Sequence, residues 1–142
     1  MTIRAILTTK GSDILSISGN AMVSDAVALL AEKRIGALPV VDDGAVCGIF
    51  SERDVIYGLA REGAAILSRK IAEVMISPAI TVTSDDGVID ALGLMTRRRI
   101  RHLPVIDEGT LSGFVSIGDL VKHRIDQIEA DAAAMRDYIQ GA

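Results

Sequence analysis

The sequence predicts an α/β (α+β) protein in which two tandem β-α-β-β-α units pack about a pseudo-twofold axis and a C-terminal helix follows. Three observations lead there. The chain matches itself at an offset of 65 residues, each copy passes through strand-like and helix-like patterns in the same order, and a helical pattern runs on past the second copy.

The self-match needs no gap. Val23, Asp25, Ala26 and Leu29 recur as Val88, Asp90, Ala91 and Leu94, and Arg34, Ile35, Leu38, Pro39, Val40 and Asp42 recur as Arg99, Ile100, Leu103, Pro104, Val105 and Asp107. Gly44, Gly48, Ser51 and Asp54 then recur as Gly109, Gly113, Ser116 and Asp119. Fourteen identities in one register are the mark of an internal repeat.

Each copy opens with an extended run, residues 14–18 and 79–83. A polar turn leads into a helix with apolar residues at i, i+3, i+4 and i+7: Val23, Ala26, Val27 and Leu30, then Val88, Ala91, Leu92 and Met95. LPVV (38–41) and VCGIF flank Asp-Asp-Gly, and LPVI (103–106) and LSGFV flank Asp-Glu-Gly, so each pair reads as a hairpin. Pro39 and Pro104 cannot donate to a ladder and predict a sheet edge or strand start. S-x-x-D and a second helix close each copy. The expected division is repeat 1 over 5–62, a connector over 63–74, repeat 2 over 75–125 and a helical tail over 126–142. One unit has too little core to stand alone, so the two should face each other and leave clefts between them.

In the tail, Val121, Ile125, Ile128, Ala132, Met135 and Ile139 are spaced 4-3-4-3-4, an a/d seam. It fits a terminal helix lying on its own domain or, alternatively, a seam that packs on a second chain; the second reading predicts a homodimer.

Composition narrows the function. Of 142 residues 49% are hydrophobic but only 3% aromatic, so the core is built from aliphatic side chains and Met. A net charge of -4 disfavours non-specific nucleic-acid binding, which depends on Lys and Arg neutralising phosphates. Cys47 is the one cysteine, excludes an internal disulfide and reads as a buried filler. No apolar run approaches the roughly 20 residues that span a bilayer, and the cytoplasm is the expected compartment. No P-loop, GxGxxG or metal-spaced cluster is present, and neither His102 nor His123 has a sequence-local partner for catalysis, so the expectation is a non-enzyme without a metal.

The S-x-x-D units, Ser51/Asp54 and Ser116/Asp119, have two readings. As a capping box the Ser hydroxyl accepts from a helix amide and the carboxylate reaches back. As a ligand site, the strand-to-helix junction offers amides and a positive helix end to phosphate, and a carboxylate can accept from the vicinal hydroxyls of a ribose. An Asp beside phosphate would be repelled, so Asp54 and Asp119 are assigned to ribose and Ser51 and Ser116 to phosphate or the helix end. The residues before each Leu-Pro form the other arm. In copy two Arg97, Arg98, Arg99, Arg101 and His102 make a basic cluster, either a solvated helix end or, for Arg101 and His102, a phosphate contact. Copy one has Gly36 and Ala37 there. One cleft should therefore be cationic and the other smaller and more neutral.

IGALPVVDDGAVCGIFSERD and IRHLPVIDEGTLSGFVSIGD, in register, make the chain similar to a CBS-domain pair, or Bateman module, of the stand-alone bacterial type. The resemblance covers roughly residues 5–125. It implies a regulatory or sensor module that binds AMP, ADP, ATP, S-adenosylmethionine or sometimes NAD in the inter-repeat clefts and dimerises into a disc of four repeats. By position, Ser51/Asp54 and Ser116/Asp119 match the family's phosphate and ribose residues. Gly36, Ala37 and Pro39, with Arg101, His102 and Pro104, match its segment around adenine and phosphate. Lys10, Asp13 and Leu15, with Met75, Pro78 and Ile80, match the residues that close over the base. AMP is the first expectation, with ADP, ATP or NAD(H) as alternatives and an unknown regulated protein as the downstream partner. The rival reading is a protein-interaction module with empty clefts, acting as a dimeric scaffold.

Overall fold

The computed structural model describes residues 1–11 and 13–141. Its elements are α1 (Ile3–Lys10), α2 (Val23–Lys33), β1 (Ala37–Asp42), β2 (Ala45–Ser51), α3 (Glu52–Glu62), α4 (Val88–Arg98), β3 (His102–Asp107), β4 (Thr110–Ser116) and α5 (Ile117–Gly141), with 3₁₀ turns at Gly63–Ser68 and Ile71–Glu73. β1 pairs antiparallel with β2, and β3 with β4, as separate two-stranded sheets.

The repeat holds down to single backbone angles. Both hairpins turn through two residues of positive φ, Asp43 (52°) and Gly44 (76°) in copy one, Glu108 (51°) and Gly109 (77°) in copy two. That is the turn whose twist suits a two-residue hairpin. Arg34 and Arg99 end α2 and α4 in the left-handed conformation, and the amides of Ile35 and Ile100 return to the carbonyls of Leu30 and Met95. These caps aim the chain into the residues before each Leu-Pro.

Each hairpin carries one extra residue: the register steps from Val40↔Gly48 to Val41↔Val46, and from Val105↔Gly113 to Ile106↔Leu111. The bulged residues are Cys47 and Ser112. Cys47 is therefore half-buried at a bulge rather than a core filler, its thiol directed at the Val40 carbonyl (3.3 Å).

The extended runs expected at 14–18 and 79–83 are shorter than the pattern suggests. Each contributes a single parallel bridge, Ile17↔Val40 and Val82↔Val105, because β1 and β3 accept only one further rung on that side. Pro39 and Pro104 are the third residues of β1 and β3, not the first, and they are buried. The sheet tolerates them because the bridging segments meet their carbonyls, from the Ile17 and Val82 amides at 3.1 Å, and ask for no proline N–H.

Two cores result, aliphatic apart from Phe50 in one and Met95 in the other. Copy one buries Val23, Ala26, Leu30, Leu38, Val40 and Phe50, and copy two buries Val88, Ala91, Met95, Leu103, Val105, Val115 and Leu120. Full burial of side chains this size contributes about 1.5–3 kcal/mol each before entropy. Two further segments complete these cores. Ile66 and Ile71, from the 3₁₀ turns, complete the core of copy one. Ile3 and Ile6 of α1 complete that of copy two, where Ile3 and Arg4 amides bond to the Asp86 and Ser84 carbonyls. The helix that opens the chain thus belongs, by packing, to the second repeat.

Candidate functional site

Two clefts lie between the copies, and each mixes residues of both. One, about 430 Å³, is lined by Lys10, Asp13, Leu15, Gly36 and Ala37 together with His102, Ser116 and Asp119. The other, about 410 Å³, is lined by Pro78, Ile80, Arg101 and His102 together with Ser51, Glu52 and Tyr57. The serine of each copy thus faces the arm of the other. Both volumes fall within the roughly 300–1,000 Å³ of small-molecule pockets.

The clefts are nearly equal in volume, so the smaller-and-neutral expectation fails for the Gly36/Ala37 side. Lys10 makes up the difference in charge, since its chain swings in from α1. Gly36 and His102 line both clefts. His102 stacks on Phe114 with ring centroids 5.6 Å apart, and burial lowers its pKa. Its ring edge would lie 3.4 Å from a Cβ at Gly36, which is why a side chain there would crowd the shared wall.

Of the sixteen residues expected at the sites, twelve line the clefts. Pro39 and Pro104 stand behind the wall within their strands. Met75 packs against the copy-one core, under Gly48. Asp54 is 7% exposed and lies behind Ser51.

Both S-x-x-D units form the capping interaction. The Ser51 amide donates to Asp54 Oδ2 (2.9 Å), and the Ser51 hydroxyl also reaches that oxygen (3.2 Å). The Ser116 amide donates to Asp119 Oδ2 (2.8 Å), while the Asp119 amide donates to the Ser116 hydroxyl (3.1 Å). The next amides are spent too, Glu52 on the Gly36 carbonyl and Ile117 on that of Arg101. A phosphate at either helix start therefore meets a hydroxyl and the helix end, with fewer free amides than the motif promises.

The two carboxylates differ electrically. Burial raises the Asp54 pKa, against the opposing bonds from Ser51. Burial also pulls Asp119 upward, but the Lys10 ammonium and the Ser116 amide outweigh it, and the net shift is down. Lys10 Nζ donates to Asp119 Oδ2 (2.7 Å) and to the Phe114 carbonyl (2.6 Å). Its repeat counterpart is Met75, which has no charge to offer Asp54.

Sequence reasoning passed over Leu7, Phe114, Glu52, Ile56, Tyr57 and Ile76, all at the cleft walls. A signal existed for one group. Ile3, Ile6, Leu7 and Lys10 hold i, i+3, i+4, i+7 spacing, the stripe of an amphipathic helix. Among the described residues, no group of three or more His, Cys, Asp and Glu side chains is placed to hold a metal, and no helix is long and apolar enough to cross a membrane.

The family model of the CBS domain matches residues 3–61 and again 71–126. The CBS domain-containing protein CBSX3, mitochondrial, of Arabidopsis thaliana is 38% identical over 124 residues, which is 84% of this chain; the chain spans 60% of that relative's length. Among solved structures, the CBS-domain containing protein ATU1752 from Agrobacterium tumefaciens has a TM-score of 0.84 at 34% identity, covering 87% of this chain and 99% of that one. The CBS domain pair of protein MJ0100, in complex with methylthioadenosine and S-adenosyl-L-methionine, has a TM-score of 0.76 at 25% identity, covering 86% of this chain and 98% of that one.

Proposed function

This chain belongs to the CBS-domain family as a pair of CBS repeats, and from that premise we propose that it is a regulatory sensor which binds adenosine nucleotides in its two inter-repeat clefts. AMP is the first candidate, with ADP, ATP and NAD(H) next. The observation that carries the reading is the cross-pairing of each cleft, in which the serine of one copy faces the arm of the other. The adenosine ligands of the MJ0100 pair support the ligand class.

In this reading the adenine lies against the apolar arm, Leu15 and Ala37 in one cleft, Ile80 and Ile100 in the other. In the Ser116 cleft the ribose hydroxyls donate to Asp119, and in the other Asp54 accepts from them by turning out from behind Ser51; the phosphate meets Ser116 or Ser51, with Lys10 or Arg101 supplying positive charge. Asp119 must exchange its bond to Lys10 for the ribose, which frees the ammonium for phosphate. The module works in the cytoplasm, acts without catalysis and reports ligand occupancy to a partner protein.

Calorimetric titration with AMP, ATP and NADH, with ribose 5-phosphate as the adenine-free control, tests this. Two AMP sites and no response to the control are expected. Absence of any nucleotide binding would leave the interaction-module reading, and turnover of a nucleotide would make the protein an enzyme.

A further inference from the structure

The CBS match ends at residue 126, yet α5 continues as one helix to Gly141. Its first turns are fixed to the body by Leu120, which is fully buried, with Arg124 and Gln127 half-buried on the same side. The apolar seam lies elsewhere. At 100° per residue, Val121, Ile125, Ile128, Ala132, Met135 and Ile139 share a stripe roughly 100° around the helix from Leu120. All six are exposed, Met135 at 60% and Ile139 at 66%. Six apolar side chains in one exposed stripe leave that face of the helix largely in water, so this stripe calls for a cover.

The flanking charges say what covers it. With Val121, Ile128 and Met135 at d and Ile125, Ala132 and Ile139 at a, the e positions are Lys122, Glu129 and Arg136 and the g positions are Arg124, Asp131 and Tyr138. In a parallel, in-register pair, g of one strand meets the following e of the other. Arg124 then faces Glu129 of the second copy, and Asp131 faces its Arg136, with both contacts repeated by symmetry. In an antiparallel pair centred on the same seam, Lys122 would face Arg136, Glu129 would face Glu129 and Asp131 would face Asp131, each a repulsion. Lys122, which has no g partner in the parallel arrangement, is bonded within its own helix to Asp126 (3.1 Å). Among the described residues Glu129, Asp131 and Arg136 take part in none of the chain's ion pairs.

We infer that residues 121–141 pair with the same segment of a second copy as a parallel, in-register two-stranded coiled coil. Two nucleotide-binding bodies then sit side by side at one end of the stalk. The pairing stands whether or not the clefts bind nucleotide.

The test uses the full chain with Cys47→Ser, a change to the residue copy two already has at that place. Met135→Cys and Ile139→Cys are added singly, and each protein is mildly oxidised. Each single variant is expected to give a disulfide-linked dimer, because like positions face each other. An antiparallel pair would instead cross-link only a mixture of Ile125→Cys and Met135→Cys proteins, and that result would overturn the inference, as would a monomer by light scattering. Asp131→Arg should weaken the dimer several-fold, and Arg136→Asp added to it should restore it; failure of the restoration also counts against the pairing. Circular dichroism of each variant confirms that the body remains folded.

Discussion

Asp54 and Asp119 hold the same place in their repeats, and both are bonded to the serine three residues before them. One is buried beyond the cleft wall with its pKa raised, and the other lines its cleft, clasped by Lys10, with its pKa lowered. The local motif is not the cause. Lys10 and Met75 are repeat counterparts, but Lys10 ends a helix that reaches across to Asp119, whereas Met75 turns under Gly48 into the core. A duplicated motif can thus keep its local bonding while a single distant position resets its charge.

The largest expected effect comes from removing each carboxylate. Asp54→Ala and Asp119→Ala should each remove one of two nucleotide sites, so that calorimetric stoichiometry falls from two to one. Stability should fall by only about 0.5–2 kcal/mol, the cost of a lost helix cap. If both variants keep two sites, the carboxylates serve capping alone.

Next come the glycines of the two hairpins. A Cβ at Gly48 would sit 2.7 Å from the Ile76 carbonyl oxygen and equally close to Met75 Sδ, while one at Gly113 would meet the Leu7 side chain at 2.5 Å. Backbone cannot yield as a leucine can. Overpacking costs about 1–3 kcal/mol, and Gly48→Ala should fall nearer the top of that range than Gly113→Ala in urea denaturation. Equal losses would mean that the repeats relax alike.

The smallest effect concerns protons. Asp54, with its raised pKa, should gain a proton at higher pH than Asp119, whose pKa is lowered. A protonated carboxyl is a poorer acceptor for ribose hydroxyls, so as pH falls from 7 toward 4 the Ser51 cleft should weaken before the Ser116 cleft. Lys10→Met should raise the Asp119 carboxyl in an NMR titration, since burial then acts with less opposition, and should narrow the gap between the clefts. An unmoved Asp119 would assign its low pKa to the Ser116 amide instead.

Hairpins, helices and the two-copy plan were legible because turn chemistry and apolar spacing act over a few residues. Asp43-Gly44 and Glu108-Gly109 adopt the positive φ values that such turns demand. Ser51 and Ser116 fall at strand-to-helix junctions as the motif implies. Less legible was anything set by long-range packing. α1 has no side-chain cap at Thr2 and is rich in β-branched residues, so propensity argues weakly for a helix; Ile3 and Ile6 hold it by burial in a core more than 70 residues away in the chain. For the same reason the stacking of His102 on Phe114, and which serine faces which arm, could not be read from spacing.

The crossing of α1 onto the second repeat also sets an order of events on the ribosome. Copy one holds all its core residues once Ile71 and the turn after it have emerged, so it can close early. Copy two cannot, although its cap was synthesised first: α1 must wait, uncovered, until Val105, Val115 and Leu120 exist to receive it. Its closure spans more than a hundred residues, the kind of late contact that slows folding. A helix made before either hairpin is thus among the last to find its place, and Lys10 reaches Asp119 only when it does.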